Sequence, residues 1–157
     1  MARWTGTWLS GLPAAGVERI PEGGWRGSRL GLPESGPGSL APFGPRVRAV
    51  VVDLVVAGLI GGLVNRFVAH PDAVSRQAAG IAALVLLYTA LLPTAGQTIG
   101  MRLVGLRVVR LSQGGPLDVG RALVRALLVV LTLPALFTDR DGRGWHDRAV
   151  GSVIVRA

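Results

Sequence analysis

Residues 46–64 read RVRAVVVDLVVAGLIGGLV, an apolar run with one acid, Asp53, in its middle and two arginines at its front edge. Few folds accommodate such a run. A charged side chain at the centre of a bilayer costs at least about 2.5–3.5 kcal/mol. Asp53 lies four residues, roughly 6 Å, inside the apolar segment that starts at Ala49. It therefore requires a partner, a water-filled cavity or a bound proton. At roughly 100° per residue, Arg46, Ala49, Asp53, Ala57, Ile60 and Val64 share one helical face, and Arg48, Gly58 and Gly62 fall on the other. The pattern predicts a polar stripe turned toward protein or water. Behind it, Gly58 and Gly62 form a small-residue pair that admits close approach by another helix.

Composition agrees with a membrane class. Half of the 157 residues are hydrophobic and 17% are charged, against about 25% charged in soluble domains. The net charge of +8 comes from arginine alone, since the chain has no lysine. These arginines flank apolar runs instead of forming one solvated surface, which argues for membrane orientation and against a nucleic-acid partner. The absence of cysteine excludes a disulfide framework, a thiolate zinc site and a cysteine nucleophile.

Along the chain, residues 1–45 are rich in glycine and proline and predict an irregular segment, with Trp4, Trp8 and Trp25 placed to meet headgroups. A first helix is expected from about Arg46 to His70. The second apolar run, Ala78–Ala95, carries no formal charge over 18 residues and falls within the spanning range of about 17–25. Residues 96–111 change character, and the alternation around Arg102–Val109 predicts a short strand. Asp118 is a plausible N-cap for a helix starting near Val119. The apolar run Ala126–Thr138 is short for a span and predicts a membrane-embedded or re-entrant third segment. A closing β-branched run, Val150–Val155, is expected to pair antiparallel with Arg102–Val109 at the cytoplasmic side. Arginines concentrate before Arg48 and between Gly96 and Arg125, which places the N-terminus in the cytoplasm.

Chemistry is sparse. The segment from Asp139 through Asp147 begins like a calcium loop, but its glycine stands at position four and Val150 occupies position twelve, where a bidentate glutamate is required. His146 beside Asp147 has no nucleophile in a recognisable setting and reads as a surface histidine in a cytoplasmic turn, and His70 sits in a turn. No phosphate-binding glycine loop is present. The reading is a non-enzymatic protein with no cofactor and no metal site, leaving Asp53 as the group to explain. Its bland alternative is a buried carboxylate tied to Arg102, Arg121 or Arg125.

Three separated stretches resemble the RDD family of bacterial multi-pass membrane proteins. Arg46-x-x-Ala49-x-x-x-Asp53 is similar to that family's opening arginine and first aspartate. Residues 96–109, GQTIGMRLVGLRVV, are similar to its GQTxGKRLxGLRVV stretch, with Gly96, Gln97, Thr98, Gly100 and Gly105 in place and Met101 where lysine is usual. Residues 144–151, including His146 and Asp147, resemble its closing segment and would supply the second aspartate. Residues 29–39 look like the extension on actinobacterial members. The resemblance implies a helical domain in the bacterial plasma membrane, and transport of ions or small solutes has been proposed for the family.

These readings give two domains of the chain, an irregular segment 1–45 and a membrane domain 46–157. The architecture expected is mainly α, with two long transmembrane helices, a shorter third segment and a small antiparallel β pair. Function is expected to be ion or solute movement, with Asp53 as the protonatable or cation-binding group, Arg46 as its electrostatic tuner, and Asp147 as a cytoplasmic partner to arginines such as Arg102. Two or three helices hardly enclose a pathway, so a homo-oligomer or a membrane-protein partner is expected in the bilayer. The alternative is an accessory subunit of a larger membrane complex.

Overall fold

The computed structural model describes residues 24–25, 27–68, 72–112, 114–131 and 143–157. Trp4, Trp8, His70, the acidic residues Asp139 and Asp141 of the calcium-like loop, and the third apolar run beyond Leu131 lie outside the described residues.

Two long helices form the frame. α1 (Phe43–Asn65) starts three residues before the expected Arg46, directly after Pro42. Pro45 is taken into its first turn, where a missing N–H is harmless because that donor would have no intrahelical partner. α2 (Ala73–Ala95) starts five residues earlier than hydropathy suggested, because the Asp72 carboxylate accepts the Ser75 N–H at 2.7 Å and caps it. Each helix has 23 residues, about 34 Å of rise, and both are long and apolar enough to cross a membrane. Their outer faces carry large apolar side chains, with Val55, Leu59 and Leu63 of α1 at 57%, 69% and 62% exposure. An unbroken greasy face of that length is foreign to a water-facing monomer.

The buried stripe of α1 is Ala49, Asp53, Ala57 and Gly61. Ile60 and Val64, expected on that face, are exposed. An i, i+4 stripe drifts about 40° per step around a straight helix, so the inner face has moved to Gly61 by the last turn. The tightest crossing is there: a Cβ on Gly61 would meet the Gly80 backbone nitrogen at 2.6 Å. Gly58 and Gly62 face open space in the monomer.

After α2, Gly96 adopts φ 67° and turns the chain. Residues Ile99–Leu103 form a short helix, α3, which takes Arg102 and Leu103 from the start of the strand expected around Arg102–Val109. The reason is a local cap: Thr98 Oγ1 accepts the Met101 N–H at 3.2 Å, which outweighs the apolar alternation of Met101, Leu103 and Gly105. Gly105 at φ 69° then leads into β1 (Leu106–Arg110). α4 (Val119–Leu131) follows, with Asp118 accepting the Arg121 N–H at 2.9 Å as the sequence suggested. α5 (Trp145–Ala149) and β2 (Ser152–Arg156) close the chain. The expected antiparallel pair is present as β1 against β2, with Leu106 opposite Arg156 and Arg110 opposite Ser152. The far edge of β2 is partly covered: Leu40 bridges to Val155, and the Ala41 N–H donates to the Ile154 carbonyl at 3.0 Å. α2 packs against α1 on one side and α4 on the other, while α3 packs on α1 and α5 on α4. Asp53 lies where α1, α2 and α3 meet.

Candidate functional site

Asp53 is 3% exposed on an otherwise apolar helix. Burying a carboxylate without donors is prohibitive, and the fold supplies three. From α2, the Tyr88 hydroxyl donates to Oδ2 at 3.1 Å. From the turn before α3, the Thr98 hydroxyl donates to Oδ2 at 2.6 Å. From α3 itself, the Gly100 N–H donates to Oδ1 at 2.7 Å. All three donors are uncharged, and the arginines named as tethers are engaged elsewhere: Arg102 is exposed, Arg121 pairs with Asp118 and Arg125 with Asp147. The last two share a cause. The opening N–H groups of a helix lack intrahelical acceptors, and in α3 they are divided between two side chains: Thr98 takes Met101, and Asp53 takes Gly100.

Only glycine permits this approach. A Cβ on residue 100 would overlap the Ala49 carbonyl oxygen, one turn before Asp53 on the same face of α1. The order Ala49, Asp53, Thr98, Gly100 is thus one steric and polar unit. Gln97 is half-buried beside it, Gly96 is the buried C-cap whose carbonyl accepts the Val108 N–H at 2.8 Å, and Gly105 turns α3 into β1. Met101, at the place where the resemblance leads one to expect lysine, is 2% exposed. Arg102 points to solvent from the outer side of α3.

A second buried centre lies across α2. Arg125 of α4 and Asp147 of α5 form an ion pair with both side chains 1% exposed. The Ser152 hydroxyl lies 3.4 Å from Arg125 Nη1 and from Asp147 Oδ1. His146 Nε2 is 3.6 Å from Asp147 Oδ2, and its imidazole is held neutral, down at about 3, by burial first and then by the positive charges of Arg125 and Arg46. Gly144 makes room for the ring, since a Cβ there would meet it at 2.6 Å. Arg46 joins this second group: its guanidinium donates to the Ile154 carbonyl at 3.3 Å. The sequence argument had assigned it to Asp53. The two centres are not isolated from each other, because α2, which carries Tyr88, packs against both α1 and α4.

Asp53 and Asp147 were singled out by the sequence, and both are buried. His146 was expected at the surface of a cytoplasmic turn, and the structure corrects this: it is buried, because the bare Gly144 leaves room for its ring to fold inward beside Asp147. Arg125 was only one of several suggested tethers for Asp53, and Tyr88, Thr98 and Ser152 had no assigned part in either centre. One signal was available for Arg125: it sits inside the stripe Ala122, Ala126 and Val129, all buried. Its neighbour one turn back, Arg121, is exposed and pairs with Asp118 at 3.3 Å. Among the described residues no group of three or more His, Cys, Asp or Glu side chains is placed to hold a metal ion. Two surface clefts flank the β2 end, one lined by Gly36, Pro45 and Gly105, the other by Trp25, Glu34 and Arg46, and neither includes Asp53.

Comparison with known proteins bears on the whole of this arrangement. Residues 40–151, most of the chain and all of both buried centres except Ser152, match the model of the RDD family. No curated protein and no solved structure matches the chain.

Proposed function

The chain belongs to the RDD family, and from that premise we propose that it is an integral protein of the bacterial plasma membrane that moves an ion or small solute, with Asp53 as the group that binds and releases a proton. α1 and α2 span the bilayer, and the N-terminus lies in the cytoplasm with β1, β2 and α5 at the cytoplasmic surface. The described part of α4, 13 residues, rises about 20 Å against a core of about 30 Å, and the third segment is taken as embedded from one side. Asp53 then sits about 8 Å beyond Arg48 along α1.

The observation that carries the reading is the donor set. Tyr88 and Thr98 meet Asp53 through hydroxyls, which both donate and accept. A carboxylate hydrogen-bonded to two hydroxyls takes up a proton by reversing a bond, where an arginine tether would be left with an uncompensated charge. Buried intramembrane acids of this kind serve proton and ion pathways. A single copy with two long helices encloses no route, so transport requires a homo-oligomer or a partner. The open face of Gly58 and Gly62 favours a second helix there, which also suits an accessory subunit.

The test uses protein reconstituted in vesicles with a panel of ions. Asp53→Asn keeps an acceptor for the Gly100 N–H and supplies an amide for the hydroxyls, so insertion is retained while proton binding is lost. Flux through the wild type that disappears in the variant supports the proposal. Equal flux in both removes Asp53 from the mechanism, and an unrelated stoichiometric partner on mild-detergent purification would favour the accessory role.

A further inference from the structure

We propose that Asp53 is a proton-operated latch whose moving part is α3: the charged carboxylate holds α3 against α1, and protonation releases it. This rests on the reading of Asp53 as the protonatable group and is independent of whether any solute is moved.

The argument is a count of donors and acceptors. Two of the three groups that satisfy Asp53, the Thr98 hydroxyl and the Gly100 N–H, belong to α3 and its cap. Both hydroxyls converge on one oxygen, Oδ2. When Oδ2 carries a proton it becomes a donor, and one of those hydroxyls must turn to accept. Thr98 Oγ1 already accepts from Met101, so accepting again leaves its own proton without an acceptor at a residue that is 2% exposed. Tyr88 can turn its hydroxyl to accept instead, which leaves Thr98 and Gly100 donating to a neutral acid, so on either path the bonds that hold α3 are weakened. Protonation also replaces charge-assisted bonds by neutral ones, roughly half as strong.

The opposing contact has no slack. Gly100 rests on the Ala49 backbone with no side chain between, so the α3 N-terminus either stays seated or leaves. α3 is five residues long and ends at the exposed Leu103, and the positive-φ Gly105, its carbonyl tied to the Ala157 N–H at 2.9 Å, is the hinge about which it would turn. Neither surface cleft opens onto Asp53, and lifting α3 is the movement that exposes it. The titratable or charged groups that face Asp53 are Tyr88 on α2 and, through Tyr88, Arg125 on α4; α3 contributes none, since Arg102 is outward.

The chain has no cysteine, so paired spin labels report cleanly. Val47→Cys on α1 and Leu103→Cys on α3 are both at exposed positions. Labelled protein in lipid nanodiscs is measured by pulsed electron spin resonance at pH 8 and over a series of descending pH. A second, longer distance population is expected on acidification. Asp53→Asn should show that population at every pH, and Thr98→Val, which removes the shared hydroxyl, should show it without Asp53 being altered. Tyr88→Phe, which leaves the α3 donors in place, should retain the short population at pH 8. Distances that are unchanged by pH in the wild type, or unchanged in Thr98→Val, overturn the latch. Release of α3 with flux indifferent to Asp53→Asn would overturn the transport proposal alone, and flux abolished by Asp53→Asn with α3 immobile would overturn the latch alone.

Discussion

Consider the replacement of Arg125 by methionine. Its guanidinium is paired to Asp147 with both groups 1% exposed, and His146 beside them is neutral. Removing the cation leaves Asp147 buried without its paired charge, with the Ser152 hydroxyl 3.4 Å from Oδ1. Breaking a buried pair from one side costs about 3–5 kcal/mol, a hundredfold or more in the unfolding equilibrium. Asp147→Leu should cost a similar amount, because it strands Arg125 instead. The double variant Arg125→Met, Asp147→Leu strands neither charge, and apolar replacement of a whole buried pair is often neutral or stabilising. The double variant should therefore be more stable than either single one, with a coupling energy of about 3 kcal/mol or more. Equilibrium unfolding of purified protein in mild-detergent micelles, followed by circular dichroism, measures all four corners of the cycle. Additive losses would refute the assignment of Arg125 and Asp147 to one buried unit.

Two further outcomes follow from the site geometry. Gly100→Ala must push α3 off the Ala49 carbonyl and forfeit the Gly100 bond to Asp53; overpacking of about 1–3 kcal/mol with a lost charged hydrogen bond of about 1.5–3 kcal/mol predicts roughly 3–6 kcal/mol of destabilisation in the same unfolding assay, and a wild-type midpoint would contradict the packing described. His146 titrates at about 3 when folded against an ordinary 6.5, so acid protonates the unfolded chain first. Its contribution is complete above pH 6.5 and is lost as pH falls toward 3, by at most about 1.4 kcal/mol per pH unit; His146→Gln should flatten that part of the stability profile, and an unchanged slope would show that the imidazole is not buried uncharged.

Much of this arrangement was legible in the residues. The two long helices followed from unbroken apolar runs, the β pair from two β-branched segments, and the importance of Asp53 from the cost of an acid in such surroundings. The Asp118 cap was legible because capping is local. Helix starts were misplaced because Pro45 reads as a breaker and Ser75, Arg76 and Gln77 are polar, although all belong in the opening turns. The expected strand began too early, at Arg102, because so short a stretch fits a strand and a helical turn equally, and the deciding bond runs from Met101 to its own cap, Thr98.

Sequence by itself determined that the chain must hide one carboxylate among lipid-soluble helices and which face of α1 would hold it. What satisfies that carboxylate was decided by tertiary structure, because Tyr88 and Thr98 are 35 and 45 residues away and no periodicity links positions on different helices. The same holds for Arg121 and Arg125. They are one helical turn apart and alike in kind, yet one reaches water and the other is sealed against Asp147. Desolvation acts on the packed neighbourhood of a side chain, and that neighbourhood exists only once α2, α4 and α5 have come together.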